Sequence, residues 1–372
     1  MSKPINVTKP FLTDEKEYIS LLNEIWDSDW LTNNGPLSRR LCDKLKQYLG
    51  AEYLSLTANG HMAMENMLGM LPKKGKVITT PFTFASTTHA IVRAGMEPVF
   101  CDIKESDYTL DPDKAEEMIT EDTVAVMPVH IYGHPCDVRA FERISQQYKV
   151  PVLYDAAHAF GAKLDGRSLC TYGDMAGLSF HATKLFHTVE GGAVICRDDQ
   201  AENRLNLIRN FGIQSPVSVA EIGGNTKMSE LHAAMGLVNI NHIDELIEER
   251  KLLTFRYREH LSGISGIRFF TPEEACGFEY NYAYFPVMID AAAYGRSRDD
   301  LYDRLSAEGI YTRKYFYPLT SRMECYQYLN QQDTAPIAEK AASSVLSLPL
   351  YNGLEFTDID EICRIINDNR QG

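Results

Sequence analysis

The sequence predicts an α/β protein: a large domain over residues 1–240, made of an N-terminal arm and a mostly parallel sheet, then a connecting helix and a small α+β domain over 241–372. Three observations carry this expectation. A chain of 372 residues, 44% hydrophobic and 24% charged, can bury a sizeable core and favours one large domain plus a smaller one. Short apolar runs alternate with helical segments from about Leu37 to Asn239, as in strands joined by crossover helices. Beyond about Ser262 that alternation gives way to a different pattern.

In chain order, the arm leads into WLTNNGPLSRRLCDKL, and YLSLTANGHMAMENML then passes from strand into helix. KVITT, EPVFCDI, TVAVMPVH and VPVLYD come next as short apolar strands. GIQSPVSVAEIGGNTKMSE is polar and contains glycine, so it reads as a long loop, either functional or simply solvated. HAAMGLVNINHIDELIEERKLLTFRYREHL keeps helical periodicity over a length unusual for one globular helix, which places the domain boundary within it. YNYAYFPVMI reads as a strand, RSRDDLYDRLSAEG as a helix, and a terminal helix starts at Thr357. There is no internal repeat, low-complexity tract or long linker.

A formal net charge of −14 repels phosphate backbones and argues against nucleic acid as a partner, while leaving room for a local anion site. Eight cysteines without a close pair provide neither zinc spacing nor a disulfide framework, so they are expected to be reduced thiols in a cytoplasmic protein, with no metal. The first twenty residues lack an apolar core after their lysines. No stretch approaches the roughly 18 apolar residues of a membrane span. A soluble, unprocessed chain is expected.

Three places carry candidate chemistry. In VPVLYDAAHAFGA an apolar run ends at Asp155, where an acid is either a ligand at the carboxyl end of a strand or the N-cap of a helix. Asn59, Gly60 and His61 sit at a strand-to-helix turn that suits either a phosphate or a plainly capped helix. Lys184, amid small and aromatic residues in GLSFHATKLFHTVEGGAVI, is either a snorkelling surface lysine or an amine kept for Schiff-base chemistry. The combination matters more than its members. Pyridoxal phosphate needs an amine for its aldehyde, a carboxylate for its pyridine nitrogen, a phosphate cup and a flat group against its ring.

ANGHMAM, PFTFAST, PVHIYG, YDAAHAFGA, SFHATKLFHTVEGGAV and GGNTKMSELHAA occur in the order found in the DegT/DnrJ/EryC1/StrS aminotransferases, which the chain resembles over nearly its whole length. The resemblance implies an aspartate-aminotransferase-like fold, fold type I among pyridoxal 5′-phosphate enzymes. It further implies that Lys184 anchors the cofactor and Asp155 pairs with the ring nitrogen. Phe84 matches the aromatic that lies over the ring, and His158 the group beside the phenolic oxygen. Ser179, Asn59, Gly60 and His61 match the phosphate cup. Asn225 matches an asparagine that reaches the phosphate from the neighbouring subunit, which implies a homodimer with shared active sites. Two positions depart from the family: His61 replaces a small hydroxyl residue, and Lys227 an arginine.

The reaction implied moves an amino group from L-glutamate onto a nucleotide-linked keto sugar, with Lys184 as both anchor and acid/base. The segment around Lys184 most resembles the branch acting at the 4-keto group of dTDP-4-keto-6-deoxyglucose. That branch makes dTDP-4-amino-4,6-dideoxy-D-glucose for surface polysaccharide, including the O-antigen of lipopolysaccharide. Trp30, Asn33, Arg313, Lys314, Tyr315, Phe316 and Tyr317 are candidates for contacting nucleotide or sugar, the Tyr-rich run being equally suited to domain packing. A 3-aminotransferase, or an enzyme using a GDP- or UDP-linked sugar, is the alternative within the family. A noncatalytic pyridoxal-phosphate-binding regulator is the alternative outside enzymes.

Overall fold

The computed structural model describes residues 4–331 and 335–370; the expected domain ends at residues 1–3 and 371–372 lie outside the described residues. Seven strands form the central sheet. Tyr53–Thr57, Gly192–Cys196, Met175–Ser179 and Leu153–Asp155 lie side by side, as do Thr123–Met127, Lys76–Thr79 and Glu97–Phe100. The bridges Val126–Val152 and Val129–Asp155 join the two sets in parallel. Among the described residues Gly192–Cys196 alone in this sheet runs antiparallel to its neighbours, so the sheet is mostly parallel.

The alternation of side chains along each strand feeds two apolar layers. Ala193 and Ile195 join a core with Leu41, Leu45, Phe141 and Leu237, whereas Val194 and Cys196 join one with Met64, Met67 and Ile91. Period-two alternation on a sheet covered on both faces makes every residue of such a strand apolar, and the strand's five residues are all buried. Helix Gly60–Gly69 packs on one face, and helices Pro36–Leu49 and Val138–Tyr148 on the other.

The long helical segment is two helices, Glu230–Asn239 and Ile243–Leu261, separated by the tight turn Ile240–His242. The first packs against Pro36–Leu49 and the second against Phe356–Asp368. Ile267–Phe269, Phe285–Ile289 and Val345–Leu348 form a small antiparallel sheet whose apolar side chains make a separate core with those last helices. Ile5–Asn6 pairs in parallel with Ile310–Tyr311, so the start of the arm joins the C-terminal region. The polar segment after Gly212 is not wholly a loop: Ile213–Ser215 and Ser218–Val219 form a short hairpin. Its residues are largely exposed, so no apolar stripe marked the pairing.

Candidate active site

The carboxyl ends of three strands converge on one cavity. Asp155 ends Leu153–Asp155, Ser179 ends Met175–Ser179, and Asn59 comes just after Tyr53–Thr57. Asp155 is buried; its carboxylate accepts from the Thr87 hydroxyl at 2.7 Å and from the Ala157 N–H at 3.1 Å. Burial raises its carboxyl above the ordinary range, against the opposing effects of those two bonds and the Lys184 charge. A buried carboxylate stripped of water in this way is stabilised by a cation placed beside it.

Lys184 lies on the connection between Met175–Ser179 and Gly192–Cys196. Phe180, Leu185 and Phe186 on the same connection are buried, and Phe186 stacks on Phe160 at 4.5 Å between ring centres. These rings pin the loop to the core on either side of the lysine. The Lys184 ammonium donates to the Tyr284 hydroxyl at 3.2 Å, beneath the cavity that both residues line.

Asn59 caps helix Gly60–Gly69, accepting from the Met62 N–H at 2.9 Å. A Cβ on Gly60 would lie 2.6 Å from the Ser179 Cβ and 2.9 Å from its Cα, so only glycine lets the helix start this close to the strand end. Free N–H groups of a first helical turn, a dipole end and the Ser179 hydroxyl are thereby brought together, a combination suited to an anion.

Phe84 is 60% exposed and stands at the head of helix Ala85–Arg93, offering its ring to the cavity. His158 is buried and accepts the Tyr132 N–H on Nδ1 at 3.1 Å, which leaves Nε2 carrying the proton of a neutral ring. Burial, with smaller effects of Lys184 and His134, holds its pKa well below the ordinary value. Phe316 stacks on it at 6.0 Å.

The cavity is about 470 Å³ and is lined by Asn59, Gly60, His61, Phe84, Asp155, His158, Ser179, Lys184, Tyr315 and Phe316 from among the residues singled out in the sequence. Trp30, Asn33, Asn225, Arg313, Lys314 and Tyr317 are not among its lining residues in a single chain. Lys314 pairs with Asp299 at 2.6 Å and lies over the Tyr302 ring, and Arg298 lies over Tyr317. The Lys227 amine donates to Asn225 Oδ1 at 2.5 Å and lies 4.9 Å from the Phe211 ring centre. Sequence reasoning missed Thr87 and Tyr284. Thr87 stands within the PFTFAST run, but nothing local signals that its hydroxyl faces an acid 68 residues on. Tyr284 sits in a strand-like run where a tyrosine reads as core.

The residues present fit pyridoxal phosphate. A buried carboxylate, an amine hydrogen-bonded to a phenol, a glycine-dependent anion cradle and an exposed ring surround one cavity of suitable size. The model of the DegT/DnrJ/EryC1/StrS aminotransferase family matches residues 12–367. The chain is 40% identical over 369 residues to a dTDP-4-amino-4,6-dideoxy-D-glucose transaminase of Shigella dysenteriae, covering 99% of this chain and 100% of that one. It is also 40% identical to the Escherichia coli protein of the same name, covering 98% of each. The crystal structure of DesI in the presence of its TDP-sugar product superimposes with a TM-score of 0.93 at 33% identity, covering 99% of this chain and 93% of that one.

Proposed function

The chain belongs to the DegT/DnrJ/EryC1/StrS aminotransferase family, with pyridoxal 5′-phosphate as its cofactor, and from that premise we propose that it makes dTDP-4-amino-4,6-dideoxy-D-glucose. The amino group comes from L-glutamate and the acceptor is the 4-keto group of dTDP-4-keto-6-deoxy-D-glucose. The near full-length likeness to the two transaminases of that name is the observation that carries this reading. We further propose a cytoplasmic homodimer with shared sites, supplying a sugar for surface polysaccharide such as O-antigen.

When bound, pyridoxal phosphate supplies an aldehyde for the migrating nitrogen and a ring that withdraws electrons from the reacting carbon. Lys184 would hold that aldehyde, and its amine, tethered at the cavity, would move the proton at the reacting carbon. Asp155 would keep the ring nitrogen protonated, its carboxylate held in place by Thr87 and the Ala157 N–H. His158 would present Nε2–H as a donor to the ring oxygen, because Tyr132 occupies Nδ1. Phe84 would cover the ring face, and Asn59, Gly60, His61 and Ser179 would hold the phosphate, completed by Asn225 of a second copy. Trp30, Asn33, Arg313, Lys314, Tyr315 and Tyr317 are retained as candidates for the nucleotide and sugar, Tyr315 being the one that lines the cavity of its own chain.

The test is a product assay. Purified protein, pyridoxal phosphate and L-glutamate are offered a panel of dTDP-, GDP- and UDP-linked 3-keto and 4-keto sugars, and the position and configuration of the new amine are read by NMR. An equatorial 4-amine on the dTDP sugar is expected. Preference for a 3-keto isomer overturns the positional assignment, and preference for a GDP- or UDP-sugar overturns the nucleotide.

A further inference from the structure

His61, at the phosphate cradle, is linked to Ser86, Glu65 and Arg93, three side chains to which the transamination assigns no role. Helix Gly60–Gly69 places His61 and Glu65 one turn apart, facing helix Ala85–Arg93. His61 Nε2 lies 3.1 Å from a Glu65 carboxylate oxygen, and His61 Nδ1 lies 2.8 Å from the Ser86 hydroxyl. Arg93 donates to the same Glu65 oxygen from the surface side. His61 and Ser86 both line the cavity, with Asn59, Gly60 and Ser179. Near the His61 ring stand Glu65 on its own helix and His89 and Arg93 on the facing one. Lys184, Asp155 and Glu190 line the shared cavity, with His158, His181, Tyr284 and Tyr315. His89 is held below its ordinary pKa by burial, then by the His61 and Arg93 charges, and its Nδ1 is engaged by the Tyr326 hydroxyl.

The hydrogen-bond directions are set by what each group can do. A carboxylate only accepts, so His61 Nε2 keeps its proton in either charge state of the ring. When the ring is neutral, Nδ1 accepts the Ser86 hydroxyl proton. Ser86 then offers only lone pairs to the cavity, the wrong polarity for a phosphate. When the ring is protonated, Nδ1–H donates to the Ser86 oxygen. The serine's own hydrogen is released toward the cavity as a donor.

We propose that His61 and Ser86 form a proton-coupled donor for the cofactor phosphate: binding of the dianion draws one proton from solvent onto His61, and Ser86 then donates to the phosphate. The proposal rests on assigning this cavity to pyridoxal phosphate. Glu65 in front of the ring and the dianion behind Ser86 both favour the imidazolium, and Arg93 holds the Glu65 carboxylate in place. Linkage sets the sign: a proton taken up on binding makes affinity fall as pH rises through the value at which His61 loses that proton in the complex.

Apoenzyme prepared from the purified protein is titrated calorimetrically with pyridoxal phosphate and, separately, with pyridoxal, in buffers of different ionisation heat, which counts protons taken up. Both ligands carry the same aldehyde to Lys184, so their difference isolates the phosphate. Near pH 8 the phosphate is already dianionic, its second pKa being about 6. Wild type is expected to take up an excess of up to one proton with pyridoxal phosphate, and its affinity to fall by up to about tenfold per pH unit more than that of His61→Asn. The excess disappears in His61→Asn and in Ser86→Ala, the second variant serving should the first bind no cofactor. Equal proton counts in wild type and variants, with normal bonding at Lys184, overturn this proposal alone. Failure of wild-type apoenzyme to bond either aldehyde overturns the cofactor assignment, and the proposal with it.

Discussion

At the scale of single residues the site is organised around a carboxylate with no partner cation at bonding distance among the described residues. Asp155 is buried, and desolvation raises its pKa despite the Thr87 and Ala157 bonds and the Lys184 charge. A folded-state value above the unfolded one, about 3.9, means that folding of the cofactor-free chain binds a proton at Asp155. That contribution is complete in acid, below the unfolded value, and is lost as pH rises through the folded one. Cofactor-free Asp155→Asn is therefore expected to melt at or above wild type near pH 8, with the gap closing toward about pH 4. Pyridoxal phosphate should reverse the order, because the ring nitrogen supplies the cation that the acid lacks. Thermal melts of both proteins with and without cofactor check this, and a cofactor-free variant less stable than wild type at both pH values sinks it. Asp155 and Lys184 attracted attention as sequence because each breaks its surroundings: an acid after an apolar run, a lysine among aromatics. Thr87 and Tyr284 did not, since a threonine in a small-residue helix and a tyrosine in a strand are ordinary where they stand. Their importance lies in partners 68 and 100 residues away.

At the scale of elements, the phosphate cradle depends on how closely one helix starts to one strand end. Gly60 is buried against Ser179 with no room for a Cβ, and Asn59 fixes the helix start through Met62. Gly60→Ala has to push Ser179 or the helix apart, an overpacking cost of about 1–3 kcal/mol. The displaced donors should weaken pyridoxal phosphate far more than pyridoxal. Comparing the two dissociation constants by absorbance separates this from general damage: equal losses for both ligands would place the effect elsewhere. Five strands of this sheet were legible because burial on both faces leaves a continuous apolar run, whereas Met175–Ser179 and Gly192–Cys196, which flank the Lys184 segment, were not read as strands. Strand direction was not legible either, and Gly192–Cys196 carries an apolar run like its parallel neighbours although it runs against them. The hairpin at Ile213–Val219 was hidden for the opposite reason, having no buried face to write a period into the sequence. The two helices Glu230–Asn239 and Ile243–Leu261 share one periodic run because the turn between them uses three residues with helix-like spacing.

At the scale of the whole molecule, the single chain leaves one expected phosphate ligand outside its own cavity. Asn225 is held by Lys227 beside Phe211, which is 48% exposed, and close in sequence to Ile222, which is 98% exposed. Lys227 donates to the amide oxygen, so the Asn225 amide nitrogen can serve as a donor, the polarity that a phosphate requires. Large apolar side chains left in water around a polar ligand are what a two-fold interface would cover, and a two-fold axis would make the exchange of ligands reciprocal. Neither the bonding of Asn225 nor the apolar surroundings could be read along the chain, where GGNTKM is only a turn. Sharing has a consequence that no arrangement confined to one subunit can imitate. A dimer of one Lys184→Ala chain and one Asn225→Ala chain contains one site with both substitutions and one with neither. Each parent homodimer is expected to be inactive or severely impaired, whereas the mixed dimer, purified through two different tags, should recover about half the wild-type rate per dimer. If each site were built within its own chain, the same mixed dimer would hold one site lacking Lys184 and one lacking Asn225, and its rate would be only the mean of the two parents.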